Sequence, residues 1–261
     1  SGLGQASPLT IKAATQERPV ITNTAAIGQD TGNCFLIAGA SYVTIRGLDI
    51  SDCFFAGVNV KYGQQQSDSS HHIEIYDNLI QGGSYSLYIY FAHHSKIYSN
   101  TIKSNGEYGI WLRNSSNVML YNNMLYGSAY YGIYNYNCAY TKYYYNTVFT
   151  TGVRTFYIGG QNSSSYTIKN NIFYNQGSGS GVAFYIQYQL NFTSDYNCCW
   201  APGNYSLYYG MPYLNFQAYQ TASGKDPHSI NANPCLVSAA YPYNLHLLDL
   251  SPCIGAGIPV P

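Results

Sequence analysis

The chain reads as a succession of short runs in which apolar residues alternate with polar or aromatic ones at period two, the signature of strand and not of helix. Six runs share one form and end on asparagine: Ile73–Asn78, Lys96–Asn100, Val118–Asn123, Lys142–Asn146, Tyr166–Asn171 and Thr193–Asn197. Their closing residues Asn78, Asn100, Asn123, Asn146, Asn171 and Asn197 recur every 22 to 26 positions. An earlier run, Val43–Ile50, has the strand but places Leu48 where the asparagine falls. A second strand follows at a similar offset in each repeat: Gly57–Val60, Leu87–Ile89, Gly109–Leu112, Gly132–Tyr134, Phe156–Ile158, Phe184–Ile186 and Leu207–Tyr209.

A repeat at this spacing is one supersecondary unit that cannot bury its own inner face. Stacking such coils about 4.8 Å apart joins them into parallel sheets around a continuous core. The marker asparagines then have a structural reading. A tight corner between two sheets favours a residue that tolerates left-handed backbone angles, and stacked amides hydrogen-bond from coil to coil.

Composition sharpens the picture. Apolar residues make up 46 %, enough for a sizeable core, whereas charged residues make up 8 % and balance at a net charge of zero. That balance argues against nucleic acid and anionic membranes as partners, and it removes the repulsion that keeps copies of a protein apart. No stretch approaches the roughly 20 apolar residues of a membrane span. Seven cysteines suit an oxidising compartment, and their odd number leaves at least one thiol unpaired within the chain. The chain opens at Ser1 without a visible signal peptide, as a processed secreted protein would.

The repeat resembles that of secreted right-handed parallel β-helix proteins, a superfamily that includes pectate-lyase-like enzymes and surface proteins. Ser7–Ala14 and Glu17–Ile21 look like the first coil of that family, and Phe216–Gln220, Gly224–Ser229, Asn233-Pro234 and Leu250–Gly257 look like its closing segment. The resemblance implies an all-β, single-domain right-handed parallel β-helix over 1–261 with an internal Asn ladder. Roughly ten coils are expected. Residues 1–200 would form regular coils, and 201–261 a closing segment with a loop, a short helix and final coils. Almost no capping segment precedes the first coil, so its edge would be bare. A Cys235–Cys253 disulfide is expected on neighbouring closing strands; the vicinal pair Cys198-Cys199 reads either as redox-active or, by alignment of the repeats, with Cys199 in the inward position held elsewhere by Ile80, Ile102, Leu125, Val148 and Phe173.

A lyase of this family would carry clustered Asp/Glu for Ca²⁺ with a Lys or Arg base nearby. Aligned on the asparagines, the outward positions of the first strand read Thr44, Glu74, Lys96, Met119, Lys142, Thr167, Thr193 and Arg46, Tyr76, Tyr98, Tyr121, Tyr144, Lys169, Asp195. Neither column stacks two carboxylates, so no catalytic residue is assigned. Glu74 and Lys96 read as an ion pair. His71-His72 and His93-His94 fall one coil apart and are the weak candidates for metal binding. The blander reading of these four is solvated or hydrogen-bonded imidazoles. Asp226 and His228 suggest an acid–base couple but sit within the closing motif. No cofactor is implied.

The strongest signal outside the core is aromatic. Tyr88, Trp111, Tyr134, Tyr157, Tyr185 and Tyr208 take one outward position of the second strand on consecutive coils. Such a ladder offers a platform for sugar rings, a contact for another copy of the chain, or simply cross-strand stabilisation of its own sheet. Asn114, Asn162, Asn191 and Asn204 begin N-glycosylation sequons. The expected protein is extracellular or on the cell surface and structural rather than enzymatic. It would associate with itself head to tail or laterally, as the subunit of a filament or surface array; the alternative is a polysaccharide-binding or polysaccharide-degrading, lyase- or glycosidase-like, β-helix protein.

Overall fold

Every repeat supplies three short strands, one more than the alternation alone marks, because a strand of two to five residues follows the asparagine corner directly. A computed structural model describes residues 8–14, 17–24, 31–177, 181–188, 191–202, 205–213 and 216–260, with only the backbone of Tyr205, Ser206 and Tyr208. Within it the strands stack in register into three parallel sheets. Sheet one has eight strands, from Leu9–Lys12 to Phe192–Asp195. Sheet two has eight, from Val20–Asn23 to Cys198–Trp200. Sheet three has eight parallel strands, from Asn33–Ala38 to Tyr205–Tyr209, and a ninth, Pro212–Tyr213, closes it by pairing antiparallel. The expected bare first edge borders residues 1–7, 15–16 and 25–30, which lie outside the described residues.

The solenoid makes about seven turns, not roughly ten. The difference lies in the closing segment, which adds no regular coil. After Tyr213 the chain forms helix α1 (Phe216–Ser223), whose Tyr219 is fully buried, and then lays residues 226–230 beside the last coil. It next turns back as an antiparallel pair, Leu236–Ser238 with Asn244–Leu247, a C-terminal strap laid over sheet two.

Inward side chains of the three sheets fill the interior in columns. Ile50, Ile80, Ile102, Leu125, Val148, Phe173 and Cys199 form the column of sheet two, each at most 2 % exposed, as the alignment of repeats predicts. Early coils are filled by branched aliphatics. Later ones use rings, with Phe156 stacked on Phe173 at 4.6 Å and on Phe184 at 5.5 Å. Two buried tyrosines share one buried amide. Asn135 Nδ2 donates to Tyr143, and Tyr166 donates to Asn135 Oδ1 and to the Cys138 carbonyl, so no phenol is stranded in the core.

The Asn ladder runs the length of the stack. Each Oδ1 accepts from both the backbone N–H and the Nδ2 of the asparagine one coil earlier, at 3.0 to 3.2 Å, as in the pair Asn100–Asn123. Each Nδ2 also donates to a carbonyl of the preceding coil, such as that of Ile75 for Asn100. The left-handed backbone expected at the ladder residue belongs instead to its predecessor: Asp77, Ser99, Asn122, Tyr145, Asn170 and Tyr196 have φ of 53 to 59°. One residue absorbs the sharp bend, and the next is left free to turn its amide inward. At the top, Leu48 N–H donates to Asn78 Oδ1, so an apolar residue suffices where the ladder begins.

Cysteines differ from expectation. Cys34 and Cys53 form the disulfide, tying sheet three to sheet two at the first coils, whereas Cys235 and Cys253 are not bonded to each other. Cys235 sits where the strap opens, its carbonyl held by Leu248, and Cys253 lies beyond the next turn with its thiol against Cys198.

Candidate functional site

Two surfaces carry chemistry: the outward face of sheet three and a cleft beneath the C-terminal tail. On sheet three, Tyr88, Trp111, Tyr134, Tyr157 and Tyr185 stand in register on successive strands, and the backbone of Tyr208 continues the line. Its side chain lies outside what is described. The rings stack face to face, with Tyr88 on Trp111 at 4.3 Å, Trp111 on Tyr134 at 6.1 Å and Tyr134 on Tyr157 at 4.9 Å. Trp111 and Tyr157 are 8 % and 7 % exposed.

That geometry determines which parts of the ladder face outward. Rings stacked on one another spend their faces within the sheet and offer edges and hydroxyls outward, whereas a sugar ring stacks on a free aromatic face. Two further columns flank the ladder, Tyr85, Tyr108, Tyr131 and Arg154 on one side and Tyr90, Arg113 and Tyr136 on the other. Tyr85 stacks on Tyr108 at 5.1 Å and Tyr108 on Tyr131 at 5.3 Å. Arg154 lies 4.0 Å from the centre of the Tyr185 ring and donates to the Tyr131 hydroxyl. Arg113 sits among Tyr90, Trp111 and Tyr136 at 5.4 to 5.9 Å. The flanking columns are visible in the sequence as Tyr85, Tyr88 and Tyr90 recurring as Tyr108, Trp111, Arg113 and Tyr131, Tyr134, Tyr136; one column followed alone does not reveal them. Burial pushes the phenols of Tyr88, Tyr108 and Tyr134 up to about 12, which keeps them as donors at neutral pH.

The outward face of sheet one is as the repeats predict. Tyr76, Tyr98 and Tyr121 stack at 4.5 and 4.7 Å, neither column places carboxylates on adjacent coils, and Lys96 meets Glu74 at 3.5 Å. Exposed as it is, that pair is worth well under about 1 kcal/mol.

The histidines are arrayed at one turn but do not converge. His71 pairs with His93 across coils, His72 stacks between Tyr42 and His94, and the Nδ1 atoms of His71 and His72 lie 2.9 Å apart. His93 Nδ1 accepts from the Ser116 backbone N–H at 3.1 Å and meets its hydroxyl at 2.8 Å. Among the described residues no group of three or more His, Cys, Asp or Glu side chains is placed to hold a metal ion. Burial first, then neighbouring histidines, lowers the pKa of His72 and His93.

Asp226 and His228 do not act on each other. Asp226 is 2 % exposed and ends the Asn ladder. It accepts from Ser194, Ser229 and Asn197 on Oδ1 and from Tyr219 on Oδ2. Burial raises its pKa against those four donors. His228 instead places Nδ1 2.8 Å from Asp195 Oδ2 and stacks on Tyr196 at 4.8 Å.

His228 and Tyr196 help line a cleft of about 300 Å³ between the last coils and the returning tail. Asn170 holds the tail by two bonds to the backbone of Ile258, at 2.8 and 3.0 Å, and the Tyr145 hydroxyl adds a third at 2.7 Å. Cys198 and Cys253 face each other across the same cleft.

Of the sequon asparagines, Asn162 and Asn191 are exposed, Asn114 is half-buried in a left-handed turn, and Asn204 lies outside the described residues. No described helix is long and apolar enough to cross a membrane.

The chain belongs to the right-handed β-helix family: the family model for a right-handed β-helix region matches residues 65–211, more than half of its length. The pectate-lyase-like superfamily is consistent with that membership. No curated protein matches the chain.

Proposed function

We propose that the protein is a non-enzymatic structural β-helix that works outside the cell and associates laterally with copies of itself through the outer surface of its C-terminal strap. The observation that carries this reading is a set of large apolar side chains left in water along one short segment. Val237, Tyr241, Leu248, Leu250 and Ile254 are 47 to 92 % exposed, although the other side of the same strap is packed against sheet two. Scattered surface apolars need no explanation, but five within 18 residues on one added layer do. A second copy is the fitting occupant, because a chain of zero net charge with 8 % charged residues does not repel itself. Contact at the strap favours lateral association over continuation of the stack, since helix α1 and residues 226–230 cover the last coil. A disulfide between Cys34 and Cys53 supports an oxidising location.

Sedimentation velocity over a wide concentration range tests the proposal. Growth of the sedimenting species with concentration, returned to monomer by Leu250→Lys with Tyr241→Lys, is the expected result. A wild-type monomer at every concentration would overturn it.

A second reading, non-catalytic binding of an acidic polysaccharide along sheet three, is favoured by Arg113 and Arg154. Their buried Nε atoms have no hydrogen-bond acceptor, and no carboxylate pairs with either guanidinium among the described residues. Affinity electrophoresis in polyuronate gels separates the two readings: retardation lost in Arg113→Gln with Arg154→Gln supports it, and unretarded wild type removes it.

A further inference from the structure

We propose that Cys198 and Cys253 form a second disulfide, a clasp that fastens the C-terminal tail to the last coil across the cleft. The inference goes beyond the proposed self-association and does not depend on it.

The geometry follows from strand alternation. Cys199 points into the core, so Cys198, at the start of the strand Cys198–Trp200, points outward toward the tail. Its S–H donates to the Ala232 carbonyl oxygen at 3.3 Å, and the Cys253 thiol is its neighbour in the cleft. Cys253 is placed there by the turn after Leu250, where its N–H donates to Ser251 Oγ at 3.2 Å, and both cysteines line the cleft. A disulfide needs the two sulfurs about 2 Å apart on Cα atoms about 4.4–6.8 Å apart, a separation that side chains lining one cleft can reach. The other free thiols are engaged elsewhere. Cys138 is buried against the Tyr136 carbonyl, Cys199 is inside the core, and Cys235 faces the carbonyl of Asn233.

The two thiols also have different parts to play. Cys253 is half-buried, and the neighbouring Cys198 thiol lowers its pKa, so it is the thiol within reach of solvent that gives up its proton more readily. Cys198 is 3 % exposed with its pKa raised, first by the Cys253 thiol beside it and then by burial, so it is the thiol that reacts second. The oxidant is an external low-molecular-weight disulfide. Cys253 thiolate attacks one of its sulfurs, forming a mixed disulfide and expelling one thiolate. Cys198 then gives up its proton and attacks the Cys253 sulfur, expelling the second. In total, two protein thiols and one external disulfide become one protein disulfide and two external thiols.

The clasp closes a loop whose ends are 55 residues apart (253 − 198) and which contains helix α1, the Asp226 ladder cap and the strap. In the reduced protein the tail is held near the cleft by its bonds to Asn170 and Tyr145. In the oxidised protein it is tethered covalently, and the cleft has a fixed roof.

The test reads thiols directly in the full chain. The native protein, handled anaerobically, is incubated with oxidised glutathione, alkylated after unfolding, and mapped without reduction. Alkylatable thiols are expected to fall from the five free cysteines to three, with one peptide joining Cys198 to Cys253. Oxidation should also raise the wild-type melting temperature by several degrees and leave Cys253→Ser unmoved. Five thiols surviving oxidation would overturn the proposal. So would glutathione left as a stable adduct on Cys253, or Cys253 recovered joined to Cys235 or Cys199.

Discussion

At the scale of single residues, the stack depends on side chains whose polar atoms are both buried and fully used. Asn123 is the clearest case. Its Oδ1 takes two bonds from Asn100, and its Nδ2 gives one to the Ile97 carbonyl and one to Asn146. Asn123→Ala takes the acceptor from the Asn100 N–H and Nδ2 and the donor from the Ile97 carbonyl, while Asn146 Oδ1 keeps the residue 123 backbone N–H; each buried orphan costs about 1–3 kcal/mol. A loss of at least about 3 kcal/mol in urea unfolding is expected. The substitution Asn123→Asp would fail for a different reason, since a carboxylate has no N–H to give the Ile97 carbonyl. His93 sets a pH dependence. Its Nδ1 accepts the Ser116 N–H, so a proton arriving there displaces a backbone bond. With a folded pKa below the ordinary 6.5, His93 stabilises the protein fully above 6.5, and that contribution fades as the pH falls toward the folded value. The melting temperature of the wild type should therefore drop faster between pH 7 and 5 than that of His93→Asn, whose carbonyl oxygen keeps an acceptor in place and does not titrate. Parallel profiles would show that His93 carries none of the effect.

At the scale of elements, what the sequence discloses depends on whether the repeat expresses it. Sheets one and three, the inward columns and the ladder all recur with the coil, so aligning the asparagines recovers them strand for strand. Sheet two escapes as a separate sheet because its strands begin directly after the ladder asparagine, at Leu79, Thr101, Met124, Thr147, Ile172 and Cys198, so each reads as a continuation of the run before it. The disulfide pairing, the ladder cap and the strap occur once each, and no periodicity announces a contact made once between distant segments. The strap does leave one trace. Tyr126, Phe149, Tyr174 and Trp200 occupy an outward position of sheet two in register, an apolar column with no reason to face water. Leu236, Tyr243, Leu245 and Leu247 are what cover it. Leu245→Ala, which truncates a side chain 4 % exposed in this second core, should cost about 2–4 kcal/mol. Because the strap is an outer layer, limited proteolysis should cut first within 236–260 in this variant while the coils stay intact. Simultaneous cleavage of coils and strap would mean the two layers unfold as one.

At the scale of the whole molecule, the protein is a rod whose interior repeats and whose end does not. The family match over 65–211 falls on the repeating part, while the features most particular to this chain, the strap with its exposed apolar side chains and the tail over the cleft, lie beyond it. The ladder shows what this division implies. Every amide in it points the same way, accepting from the coil before and donating to the coil after, so each interior junction is chemically the same as the next. The two end junctions differ: Leu48 opens the ladder with its backbone N–H alone, and Asn197 hands its N–H to Ser229 and its amide to Asp226. The length of the rod is therefore a free parameter. A gene in which residues 101–123 are duplicated in tandem should yield a folded protein longer by one strand spacing, about 4.8 Å, measurable by small-angle scattering. Moving the segment 226–230 up to meet any earlier coil would need that coil to carry a serine where Ser194 stands, and Ile75, Ile97, Leu120, Tyr143 and Ile168 hold that position instead. The molecule can be lengthened almost anywhere, yet it has only one place to stop.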